Sequence, residues 1–278
     1  MSRRRLLPLA ATTTVALLLS ALLSPPLAAE PGPAPGSMAA IGDSITRGFN
    51  ACGWYSDCVG NNWSTGTSTT VNSHYLRLRA LNSAMNGRNY NVARTGAKSD
   101  ALPGQAQAAV NHGVAYVTIL IGANDACTSS EAGMTPVSTF QSRVESALAT
   151  LKSGLPNAKV FVSSVPDIKR LWFVGKNSGS ARATWSMFGI CKSMLANPTS
   201  NAAADVARRD RVRQRVVEYN QVYAAACAAY GPHCTFDGNA AFNYPFVLSQ
   251  VSTWDYFHPN ATGQKVLAQL SWDAGFGW

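Results

Sequence analysis

The sequence predicts an α/β fold, a doubly wound parallel sheet with helices on both faces. Three observations carry that expectation. Short apolar runs alternate with longer stretches whose apolar residues recur at three- and four-residue steps, the spacing of βαβ units. Gly closes several of the helical stretches. After removal of an N-terminal leader, the chain keeps enough residues for one well-cored α/β domain.

In chain order, "MSRRRLLPLAATTTVALLLSALLSPPLAA" sets three arginines before a Leu/Ala-rich run that ends in small residues. This is the layout of a secretory signal peptide over residues 1–29, cleaved near Ala29. The run is short for a membrane span and a Pro pair interrupts its end, so an exported, soluble protein without stable membrane insertion is expected. Losing the leader removes Arg3, Arg4 and Arg5 and no acid, and lowers the formal charge from +9 to +6. Residues 30–36 are a Pro/Gly-rich linker, and residues 37–278 form the domain.

The strands expected are Met38 to Ile41, Asn89 to Ala93, Ala115 to Ile121, Lys159 to Val165 and a weaker one at Cys234 to Phe236. "SHYLRLRALNSAM", "VSTFQSRVESALATLKSG", "VARRDRVRQRVVEYNQVYAAACAAYG" and "PNATGQKVLAQLSW" read as helices. The basic run "ARRDRVRQR" suits a solvated helix face, and no nucleic-acid motif surrounds it. Residues 49–72 and 170–200 are long, turn-rich and studded with aromatics, and loops of that length shape or cover sites. Leu171, Trp172, Phe173, Trp185, Met187 and Phe188 in the second stretch, with Phe49, Trp54, Tyr55 and Trp63 in the first, are expected to wall an acyl groove, Trp172 and Phe173 foremost as substrate-binding residues.

Six cysteines in an exported chain predict disulfides. Proximity pairs Cys52 with Cys58 and Cys227 with Cys234, which leaves Cys127 for Cys191. No Cys-x-x-Cys or His-Glu-x-x-His occurs, so neither a metal nor any other cofactor is expected. The absence of GxGxxG, of a Walker-type loop and of a Gly-x-Ser-x-Gly elbow argues against dinucleotides, nucleoside triphosphates and the α/β-hydrolase form of serine esterase. "NWS" at Asn62 and "NAT" at Asn260 fit the glycosylation pattern and are left unassigned.

In an open parallel sheet, ligands bind at the carboxyl ends of the strands. Gly42, Asp43 and Ser44 follow the first strand, Gly96 the second and Asn124 the third. Asp255 and His258 stand in "STWDYFHPNATG" just before the last helix. Acyl transfer to a serine needs a nucleophile, a base, a carboxylate that fixes the base's tautomer, and donors for the oxyanion. Ser44, His258, Asp255, and the set of Ser44 N–H, Gly96 N–H and the Asn124 side chain fill those roles. Asp43 is expected to hydrogen-bond within its turn and hold Ser44 in place. His74, His112 and His233 have no carboxylate at that spacing and read as surface or helix-packing residues.

"GDS", the Gly of "NVARTG", the Asn of "GAND" and the "DxxHP" element follow one another in the order and approximate spacing of the SGNH hydrolases, the GDSL-type esterases and lipases, which the chain therefore resembles across the whole domain. The resemblance implies a flavodoxin-like three-layer α/β/α sandwich on a five-stranded parallel sheet. It also implies Ser44 as nucleophile, Gly96 and Asn124 as oxyanion donors, and Asp255 with His258 completing a triad. Ile45 stands where the family's name has Leu, at a position that packs rather than reacts. The function expected is that of a secreted, monomeric esterase or lipase, with phospholipids among the substrates of the class. A carbohydrate acetyl esterase, and a non-catalytic binding module on the same fold, are the alternatives.

Overall fold

The computed structural model describes Met1 and residues 32–278, so the expected signal peptide, apart from Met1, lies outside the described residues. Strands β1 (Met38–Gly42), β2 (Asn89–Asn91), β3 (Tyr116–Leu120), β4 (Lys159–Val162) and β5 (Cys234–Phe236) form one parallel sheet in the order β2-β1-β3-β4-β5. This is the five-stranded α/β architecture that the sequence predicts. Between the strands run helices α1 (His74–Leu81), α2 (Leu102–Asn111), α3 (Ala123–Ala126), α4 (Val137–Gly154), α5 (Ile168–Gly175), α6 (Gly179–Met187), α7 (Lys192–Leu195), α8 (Ala203–Tyr230), α9 (Ala240–Asn243) and α10 (Ala261–Asp273).

Strand side chains alternate between two cores, as a pleat requires. Ala39, Ile41, Val117, Ile119, Val160 and Val162 face the larger core, filled by the apolar stripes of α2, α4 and α8. Met38, Tyr116, Leu120 and Phe161 face the smaller one, filled by α1, α10 and the indole of Trp63. Three layers follow, with the reversal of strand order between β1 and β3 opening a crevice at their carboxyl ends.

Three differences from the sequence reading have physical causes. The β4 strand stops at Val162 rather than Val165 because side chains take over the backbone's hydrogen bonds. Asn220 accepts from the Val165 N–H at 2.8 Å and donates to its carbonyl at 3.2 Å, and the Ser163 hydroxyl donates to the Ser164 carbonyl at 3.2 Å. Residues 170–200 form helices rather than a loop, since Asp167 and Ser178 cap α5 and α6 and the Cys127–Cys191 disulfide anchors α7. The basic run of α8 is spent in pairs. Arg208 meets Asp205 at 2.8 Å, Arg211 meets Glu131 at 2.7 Å and Arg213 meets Asp167 at 2.7 Å, while Arg209 is buried with its guanidinium 4.3 Å from the Trp172 ring.

The three disulfides closed in the structure are the three expected pairs. Asn62 is fully buried, its carbonyl oxygen accepting from the Ser64 and Thr65 N–H groups, so its amide is closed to a glycan. Among the described residues no helix is long and apolar enough to cross a membrane.

Candidate active site

The chain leaves β1 through Gly42, whose fixed surroundings admit no side chain. A Cβ there would lie 2.4 Å from the Leu120 carbonyl oxygen. Gln105 of α2 clamps this residue from both sides, accepting from its N–H at 2.6 Å and donating to its carbonyl at 2.9 Å. Asp43 then accepts from the Ile45 N–H at 2.9 Å, and the tight turn places Ser44 at the crevice. The other Asp43 oxygen is buried with no hydrogen-bond partner among the described residues, and burial pushes this carboxyl up to about 7 against the pull of the Ile45 N–H.

Asp255 and His258 share a short loop whose two ends are joined by a bridge between Val251 and Pro259. The Ser252 N–H donates to the His258 carbonyl at 2.8 Å, and α10 begins at an Asn260 cap. His258 Nε2 lies 2.7 Å from the Ser44 hydroxyl, and its Nδ1 lies 2.5 Å from Asp255. With the Nδ1 proton held against the carboxylate, Nε2 is left as an acceptor for the serine proton. Burial pushes the Asp255 carboxyl up, but the hydrogen bond and charge of His258 and the N–H groups of His258 and Phe257 outweigh it and hold the group below its ordinary value.

One contributor was not identified from the sequence. Asn50 is buried and sits in the left-handed region at φ 63°, from which its amide donates to Asp255 at 2.7 Å, to the same oxygen that meets His258. Its partner is 205 residues away, so no local pattern announces it; an Asn beside the Cys52–Cys58 turn was the one available signal.

The oxyanion donors proposed from sequence stand on adjoining loops. Asn124, on α3, donates one amide hydrogen to the Ala97 carbonyl at 3.0 Å, and its side chain borders the crevice together with Ser44 and His258. Asp125 beside it is buried and accepts from the Ser99 N–H at 2.9 Å and hydroxyl at 2.6 Å, which ties the Asn124 turn to the Gly96 loop. Gly96 has φ 78°, a conformation that favours glycine, and is exposed, one residue before Ala97, whose carbonyl accepts from Asn124. Neither its N–H nor that of Ser44 donates to a protein acceptor among the described residues.

From Ser44 an apolar cleft of about 700 Å³, including the space open to solvent, runs toward α5. Ile168, Leu171 and Val174 form one wall, and Phe246, Val251 and Phe257 face them. Trp172 and Phe173 do not line it. Trp172 lies about 100° round α5 from Leu171, on the flank where it is buried and donates to the Pro198 carbonyl at 2.8 Å, and Phe173 points to solvent.

His74 is a buried packing residue between the Tyr116 and Ser271 hydroxyls, at 2.9 and 2.7 Å, and burial pushes it down to about 3. Among the described residues no group of three or more His, Cys, Asp or Glu side chains could hold a metal ion.

No curated protein matches the chain in sequence. An acetylxylan esterase from Geobacillus stearothermophilus, solved as a catalytic mutant, superposes with a TM-score of 0.55 and 15% identity over 87% of this chain and 94% of its own. An extracellular lipase from Streptomyces rimosus gives 0.47 and 20% over 86% and 99%. The esterase EstA from a Pseudoalteromonas species gives 0.44 and 14% over 86% and 96%. The first of these supports the fold. The family model for GDSL-like lipase/acylhydrolase matches residues 38–271, a span that runs from the first residue of β1 through the Ser44 turn, the Asn124 turn and the Asp255–His258 loop into the last helix, and the chain therefore belongs to that family.

Proposed function

We propose that the protein is an exported serine hydrolase of carboxylic esters, with Ser44 as nucleophile, His258 as general base and acid, and Asp255 as the group that orients His258. The observation that carries this reading is the hydrogen-bond chain from Ser44 through His258 to Asp255, at 2.7 and 2.5 Å. Ser44 Oγ attacks the ester carbonyl carbon as its proton passes to His258 Nε2. The charge that develops on the carbonyl oxygen is met by the N–H groups of Ser44 and Gly96 and the second amide hydrogen of Asn124. Collapse breaks the bond to the alcohol oxygen, which takes the proton from His258. Water, deprotonated by the same imidazole, then attacks the acyl-enzyme and releases the carboxylic acid and free Ser44.

The acyl group is assigned to the cleft walled by Ile168, Leu171 and Val174, which is apolar and begins at the nucleophile. Three disulfides suit an oxidising, extracytoplasmic setting. The test is a series of p-nitrophenyl esters of rising acyl length. The wild type should release nitrophenol with kcat/KM climbing by at most about fourfold per methylene until the cleft is full, and Ser44→Ala should lose about a thousandfold or more in kcat while melting normally. A Ser44→Ala variant that keeps more than a small fraction of turnover would refute the assignment.

A further inference from the structure

The acyl cleft accounts for one side of His258. Phe257 lies on that side, its ring 5.1 Å from the imidazole, and lines the cleft. On another face of the imidazole stands Phe49, edge-on at 4.9 Å, which is not part of the cleft wall. Tyr55 packs against Phe49 at 5.0 Å, and the Trp54 ring lies 5.5 Å from that of Trp254, the residue just before Asp255. Trp54, Tyr55 and Trp254 are 66%, 56% and 43% exposed. Their rings therefore stand in water beside the reacting centre, where the two cores have no use for them.

The turn that carries two of these rings is constrained. Trp54 and Tyr55 sit inside the Cys52–Cys58 disulfide, whose turn is closed by the Asn50 N–H donating to the Ser56 carbonyl at 2.9 Å. The next residue, Asp57, accepts from Arg47 at 2.9 Å and from the Thr95 hydroxyl at 2.5 Å. A turn constrained in this way loses little backbone entropy when its aromatics bind a ligand.

The chemistry of the proposed reaction decides which half of the ester lies there. The leaving alcohol takes its proton from His258, so it must sit beside the imidazole, while the acyl half occupies the cleft. We propose that Trp54, Tyr55 and Trp254 form an alcohol-side subsite that takes the pyranose ring of an acylated sugar, an inference that rests on the ester-hydrolase reading. The C–H bonds on one face of a pyranose carry partial positive charge and meet the negative face of an aromatic ring, as an aromatic edge does. Ring hydroxyls need polar partners nearby, and Ser56 and Asp57 follow Tyr55 in the same turn, with Arg47 donating to Asp57 at 2.9 Å. A lipid surface, recognised by a continuous apolar patch, has no need of these polar groups beside the aromatics.

Esters sharing one acyl group and differing in the alcohol test this: a methyl glucopyranoside monobutyrate, ethyl butyrate and tributyrin. The wild type should show kcat/KM for the sugar ester about tenfold above that for ethyl butyrate. Trp54→Ala with Trp254→Ala should bring the ratio close to one, chiefly through KM, and Trp→Phe at both positions should restore part of it. Both side chains are exposed, and thermal melting checks that the variants fold. As a readout without turnover, the Ser44→Ala protein should show tryptophan fluorescence that titrates with a gluco-oligosaccharide, a response that the double Ala variant lacks. Hydrolysis of ethyl butyrate with no preference for the sugar ester, or loss of tributyrin activity in parallel with the sugar ester, would overturn the subsite and leave the ester-hydrolase reading standing. Absence of Ser44-dependent hydrolysis of all three would instead overturn that reading.

Discussion

Asn50 supports Asp255 from a backbone conformation that Asn and Gly adopt readily and most residues avoid. Asn50→Gly keeps the left-handed turn and removes only the amide, so it isolates the hydrogen bond, whereas Asn50→Ala adds backbone strain. The glycine variant should lose about tenfold in kcat with little change in KM. Because the lost N–H favours the ionised carboxylate, removal raises the point at which Asp255 takes up a proton, and the loss should be larger at pH 5 than at pH 8. A uniform loss across pH would mark Asn50 as a purely structural support. Asn124→Ala should cost about a hundredfold to a thousandfold in kcat if its free amide hydrogen meets the oxyanion, and an effect confined to KM would exclude that role. At this scale local motifs were enough to single out Ser44, Asn124, Asp255 and His258, which the structure brings to one crevice or its hydrogen-bond chain. The sequence was silent on Asn50, whose role exists only across 205 residues of chain.

The α5 helix shows what the sequence leaves open at the scale of an element. Its apolar and aromatic residues were legible as a wall for substrate, but which of them face the cleft depends on the helical phase set by the Asp167 cap. Ile168, Leu171 and Val174 fall on the cleft face, and Trp172 lies between Lys176 and Arg209, 4.5 and 4.3 Å from its ring. Leu171→Trp should therefore shorten the longest acyl chain accepted in the nitrophenyl ester series. Trp172→Ala should leave that profile in place and destabilise the fold by about 3–5 kcal/mol, as truncation of a buried indole does; denaturant melts measure it. Disulfides were legible from cysteine spacing and the expected setting, and their energetic ranking follows from loop length. The Cys127–Cys191 pair spans 64 residues and should be worth about 4 kcal/mol in the chain-entropy account, against about 2 kcal/mol for Cys52–Cys58, which spans six. Paired Cys→Ser variants compared by urea melting test the order.

Across the whole molecule, two buried groups in different layers set opposing responses to acid. Burial pushes the Asp43 carboxyl up to about 7 in the folded protein from an ordinary value of 3.8, so the stability it contributes is full below pH 4 and is lost as pH rises toward 7. His74 titrates near 3 against 6.5, so its contribution is present above pH 6.5 and is lost as pH falls toward 3. Between pH 4 and 6.5 the two slopes oppose each other. Asp43→Asn removes one of them, and the variant should lose stability on acidification faster than the wild type by up to about 1.4 kcal/mol per pH unit. Melting temperatures from pH 4 to 8 check this, and parallel curves would refute it. The parallel sheet was legible at this scale because its central strands β1, β3 and β4 are predominantly apolar on both faces. The division into two cores was not, since it depends on which helix lies over which face. The hydrogen bond between Ser44 and His258 joins positions 214 residues apart, the first at the end of β1 and the second just before α10. During synthesis the nucleophile is therefore made early and its base late, and Gln264, which donates to the Ile45 carbonyl at 2.8 Å and draws α10 onto the Ser44 turn, later still. A nascent chain carries an unactivated serine through most of its translation, so hydrolytic activity reports chains that have been both finished and folded.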